Sequence, residues 1–130
     1  MTLMGFVDGP YRAFDVHNPG DLDGKEGCVL ELNSDGKVQL YTGSGASPAI
    51  AIHYGQLKAA APTVTGRMIG KGGTAKFVAG EAIALGAKFK ATSGGAVVNA
   101  TTGDRSLGIN IEGAVVAGQL FEAIDVVEKL

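Results

Sequence analysis

The sequence predicts an all-β fold: a small, glycine-rich β-barrel built from two related β-units and preceded by an extended N-terminal arm. Three observations carry that prediction. Glycine is heavy, at 21 of 130 residues, while proline stops at 4. A typical chain holds roughly 7% glycine, so this excess without low-complexity tracts reads as many tight turns between short strands. Short apolar runs alternate with polar residues between those glycines, the period of half-buried strands. A pattern also recurs 59 residues apart: Gly27 with Gly86, Gly36 with Gly95, Val38 with Val97, Thr42 with Thr101, Ile50 with Ile109 and Ile52 with Ile111. Each copy runs glycine, strand, glycine turn, strand, Thr-Gly-rich loop and Ile-x-Ile, a supersecondary unit used twice. Chance alignment within a glycine-rich chain is the competing explanation.

Taken in order, residues 1–26 hold no helical or strand period. They carry apolar side chains at Leu3, Met4, Phe6, Tyr11 and Phe14, with turn signals at Asp8-Gly9-Pro10 and Asn18-Pro19-Gly20. This reads as an arm whose five anchors dock on a partner. The alternative is an N-terminal strand packed on its own domain. Residues 27–130 form the β-domain. Val29 to Leu32 alternates as a strand, Asp35-Gly36 supplies a hairpin turn, and Val38 and Leu40 lie on the return strand. Residues 49–54 and 64–69 read as two further strands. In the second unit, Lys88 and Lys90 alternate with Phe89 and Ala91, Gly94-Gly95 is the matching turn, and residues 107–111 form the third strand. Residues 120–127 fit either a helix face or a strand. The Ile-Asp-Val-Val stretch favours a strand, which would close the barrel and remove an edge. Aromatics make up 6% of the chain and tryptophan is absent, so the expected core is aliphatic and thin and gains from association.

Charge and composition narrow the function classes. A net charge of −2 argues against nucleic acid, whose binding rests on neutralising phosphates. No apolar run reaches the length of a membrane span, and the start lacks the basic and apolar regions of a signal peptide. The single Cys28 cannot staple a domain and reads as a small buried residue. Ile69-Gly70-Lys71-Gly72-Gly73 has a glycine loop of nucleic-acid-clamping type, but Gly80 follows too soon for the helix such a loop needs. The Asp21-Leu22-Asp23-Gly24 cluster lacks the further ligands of a calcium loop and reads as a solvated turn. His17 and His53 are the only histidines. His17 sits in the turn-rich lead-in, and His53 is placed on a strand, at the surface or an interface. No serine sits in a strained elbow. The reading is therefore a non-enzyme, without cofactor or metal.

The second half carries a resemblance. Val78-Ala-Gly-Glu-Ala-Ile-Ala-Leu-Gly86, Ala96-Val-Val98, Thr101-Thr-Gly103, Leu107-Gly-Ile109 and Ala117-Gly118 together resemble the head decoration, or capsid cement, proteins of tailed phages. The resemblance covers roughly residues 76–127, with a faint echo in 27–57. It implies a β-barrel or β-tulip and a homotrimer on the outer surface of a phage capsid. Its partner would be the major capsid protein, whose lattice it would clamp. A different β-rich virion component, such as a fibre base or adhesin module, is the second expectation, and a small hydrolase or ligand-binding barrel the third.

Overall fold

The computed structural model describes residues 9–43, 48–55 and 58–130. Ten strands and no helix make up these residues: β1 (Tyr11–Asp15), β2 (Val29–Leu32), β3 (Val38–Leu40), β4 (Ala49–Gly55), β5 (Thr63–Met68), β6 (Thr74–Val78), β7 (Lys88–Ala91), β8 (Val97–Asn99), β9 (Arg105–Asn110) and β10 (Leu120–Lys129). They form two antiparallel sheets of five strands, ordered β1-β5-β4-β2-β3 and β6-β10-β9-β7-β8. Adding five to each strand of the first sheet reproduces the order of the second.

The expected barrel is not what forms. Each sheet's two edges touch through one parallel bridge, Val16 with Val38 in the first and Ala79 with Val97 in the second. One bridge is too little to close a ladder, so two curled sheets result. β10 does not close an edge either: it lies inside the second sheet, between β6 and β9.

Local chemistry explains the turns. In the β2–β3 hairpin, Asn33 Oδ1 accepts the N–H groups of Asp35 and Lys37, both at 3.0 Å, and Gly36 takes φ +78°. The β7–β8 hairpin instead places two glycines, Gly94 and Gly95, at φ +92° and +88°. Both are conformations that a Cβ disfavours.

Two cores form, one within the first sheet and one in the second sheet that also takes in Val29 and Ile52 of the first. The first holds Phe14, Val16, Leu22, Leu30, Val38, Ala51 and Val64. The second centres on Phe77, Phe89 and Phe121, which are fully buried. Phe89 meets Phe77 and Phe121 edge-to-face, with ring centroids 4.8 Å and 5.3 Å apart. Each such ring pair adds about 0.5–1.5 kcal/mol beyond the area it buries. The core is thus aromatic in this half rather than thin and aliphatic. A low overall aromatic count says nothing about how far the aromatics cluster.

The described part of the lead-in is not a free arm. β1 pairs along β5 from Tyr11 against Arg67 to Asp15 against Thr63, and Phe14 and Leu22 are core residues. β1 is an edge strand with a single buried side chain, which left no period to read. Register also corrects the match of Ile50 and Ile52 to Ile109 and Ile111. Ile52 pairs with Val29 and Ile109 with Lys88, so Ile52 stands where Ile109 does, 57 positions apart by number rather than 59.

Candidate functional site

The second sheet ends in two loops, residues 80–86 and 111–118, held together as one tip. Ile83 and Val115 bridge the loops and are buried. Asn110, at the end of β9, is the clamp. Its Nδ2 donates to the carbonyls of Ile83 and Ala84, each at 3.2 Å, and of Gly113 at 2.7 Å. Its Oδ1 accepts the N–H of Glu112 at 2.9 Å. A buried amide is so placed because each unpaired polar atom there would cost about 1–3 kcal/mol. The clamped loops hold three apolar side chains out in solvent: Leu85 at 65% exposure, Val116 at 61% and Ile111 at 41%. These exposures leave apolar area that the fold itself does not cover.

In the first sheet, His53 occupies the place of Asn110. Its N–H and C=O exchange bonds with Cys28 and Gly27 as those of Asn110 do with Ala87 and Gly86. His53, expected at the surface or an interface, is buried within the chain, because it sits on the inward face of β4. At the positions corresponding to Leu85 and Ile111 stand Glu26 and Tyr54, so the apolar tip belongs to the second sheet alone.

A cleft of about 460 Å³ lies between the face of the first sheet and β6, lined among others by Tyr11, His53, Tyr54, Arg67, Lys76 and Glu122. Tyr11 and Tyr54 stand at its mouth, both exposed, with ring centroids 4.6 Å apart. Their side-chain hydrogen bond raises the Tyr54 phenol above its ordinary value. Arg67 is committed elsewhere, donating to Asp125 Oδ2 and to the carbonyl of Gly72, both at 2.7 Å.

Of the five predicted contact residues, Leu3, Met4 and Phe6 lie outside the described residues. Tyr11 is exposed beside the cleft. Phe14, on the opposite face of β1, is buried in the first core and offers no surface. The structure therefore separates Tyr11 from Phe14. Sequence reading passed over Leu85, Ile111 and Val116. The available signal was a large apolar residue directly before a turn glycine, as in Leu85-Gly86, where strand burial does not call for one.

The remaining chemistry is quiet. Burial raises the Cys28 thiol above its ordinary value, which keeps it protonated. Asp23 accepts the N–H of Ala60 at 3.0 Å, tying the acidic turn to the loop ahead of β5. Among the described residues, no three His, Cys, Asp or Glu side chains converge to hold a metal ion. No helix among these residues is long and apolar enough to cross a membrane. No family model, curated protein or solved structure matches the chain.

Proposed function

We propose that this chain is a structural virion protein that binds the outer surface of a tailed-phage capsid as a homotrimer and stabilises the shell. The supporting observation is the tip: the residues that carry the resemblance, from Val78 to Gly86 and on to Ala117-Gly118, build the loop pair that presents Leu85, Ile111 and Val116. Burying such side chains against a capsid subunit is worth about 1.5–3 kcal/mol each, and stiff loops lose little entropy on docking. Leu3, Met4, Phe6 and Tyr11 form a second contact with the major capsid protein. The two sheets are read as two related β-units, which their common strand order supports.

Mixing the protein with undecorated heads and pelleting them tests this. The wild type is expected to cosediment, and Leu85→Asp with Val116→Asp to stay in the supernatant while still folded. A wild type that never pellets with heads removes the reading. The Tyr11–Tyr54 pair favours a second reading, a glycan-binding appendage module, since exposed rings stack on sugars. Saturable binding to soluble glycans, lost in Tyr54→Ala, would select it instead.

A further inference from the structure

Among the described residues, only one of the two corresponding hairpin turns is seated on the other sheet. The β7–β8 turn of the second sheet docks on the first: Val29 donates its N–H to the Gly95 carbonyl at 2.7 Å, and Gly94 donates to the Tyr41 carbonyl at 2.8 Å. The fit is close. A Cβ on Gly95 would lie 2.8 Å from Cys28 Cβ and 2.9 Å from the Val29 carbonyl. The corresponding turn of the first sheet, between β2 and β3, has no such seat. Residues 34–37 are exposed, and a Cβ on Gly36 would meet nothing within 4 Å among the described residues. A contact that uses two different patches is heterologous, so among the described residues each chain is left with one unused turn and one unused seat. The unused seat is the place on the second sheet that corresponds to Val29 and Tyr41. Backbone bonding identifies it, since Ala100 donates its N–H to Lys88 as Tyr41 does to Val29.

We propose that copies of this chain associate head to tail, the β2–β3 turn of one copy docking on the Lys88–Ala100 seat of the next. The exposed patches differ from the internal ones in the way this requires. Where Val29 is buried, Lys88 is exposed, and where Gly94 stands in the seated turn, Asp35 stands in the free one. The Asp35 N–H is satisfied within its own turn by Asn33, which leaves its carboxylate to meet Lys88. Lys88 now bridges Glu128 at 2.8 Å, an exposed pair that exchanges partners at little cost. With Lys37 beside Asp35 and Glu128 beside Lys88, each patch carries one charge of each sign. The internal contact thus serves as the template for the external one. Closure of the ring at three copies rests on the trimer proposed above.

Charge reversal tests the docking. Sedimentation equilibrium at micromolar concentration is run on the wild type, Asp35→Lys, Lys88→Asp and the double variant, with thermal melting to confirm that each folds. Each single reversal is expected to weaken association about tenfold or more, and the double variant to recover most of it. A trimer indifferent to both single reversals overturns head-to-tail docking and leaves the trimer reading standing. Single losses that the double variant does not repair overturn the Asp35–Lys88 pairing. A wild type that sediments only as monomer removes both this docking and the trimer.

Discussion

Arg67 of the first sheet and Asp125 of the second form a buried ion pair, Nη1 to Oδ2 at 2.7 Å. The turn joining the sheets wraps the same carboxylate, with the N–H groups of Gly70 and Lys71 donating to it at 2.9 Å and 3.0 Å. One aspartate therefore fixes the guanidinium, the linker and the relative placement of the two sheets.

Replacing Asp125 with Ala leaves a buried cation and two amides without their acceptor. The expected loss is about 3–5 kcal/mol, read as a fall in the urea midpoint at unchanged slope. The pair Arg67→Met with Asp125→Leu should lose less than Asp125→Ala alone, because no uncompensated charge remains. Equal losses in the two variants would show that the linker amides, not the ion pair, dominate.

Two strand glycines make room for the rings. A Cβ on Gly108 would meet the Ile124 carbonyl at 2.5 Å and Phe89 Cζ at 2.8 Å, and one on Gly66 would meet Phe14 Cε2 at 2.9 Å. Backbone gives way less easily than a ring edge. Gly108→Ala should therefore cost the most, about 1–3 kcal/mol or more, and Gly66→Ala less. Gly55 on β4 has open space among the described residues and no left-handed φ, so Gly55→Ala should change stability by under about 0.5 kcal/mol. Thermal melts of the three variants give the order.

Acid should loosen the second sheet through Glu81. Its carboxylate accepts the Asn99 N–H at 2.9 Å and Asn99 Nδ2 at 2.7 Å. Chiefly the backbone bond from Asn99 holds it below its ordinary value of 4.5. A carboxyl depressed on folding contributes stability that is fully present above the unfolded value and is lost as pH falls through the folded one. Asp104, lowered mainly by the Thr101 N–H, acts in the same direction. Melting temperature plotted against pH should fall below the ordinary carboxylate range, and less steeply in Glu81→Gln. Parallel curves would place the acid sensitivity elsewhere.

How much could be read in advance varied by element, for physical reasons. The β2–β3 and β7–β8 hairpins were legible because Gly36 and Gly95 supply backbone conformations that other residues avoid. β1 was not: a five-residue edge strand that buries only Phe14 looks like unpatterned chain. Leu32 pairs with Val38 as Ala91 does with Val97, 59 positions on, whereas Ile52 and Ile109 take matching registers 57 apart, because the loops between those strands differ in length. Similar side chains two residues on disguised the slip. His53 followed its strand's alternation, but alternation alone does not say which face is covered. Of the residues expected to make contact, Tyr11 is exposed and Phe14 is not, a difference set by the opposite faces of one strand. The tip was hidden because Leu85, Ile111 and Val116 are 26 and 5 positions apart in the chain, and their loops are joined only in the fold, by Asn110 and the Ile83–Val115 bridge.

By itself, the sequence determined that the chain is all-β, where its hairpins turn and which short segments are strands. These depend on backbone preferences and two-residue periods, which are local. Only the tertiary structure decided that the sheets stay two rather than close as one barrel, that three phenylalanines share one core, and that an aspartate at position 125 reaches back to an arginine at position 67. Those outcomes depend on contacts between residues far apart in the chain, whose energies no local pattern contains.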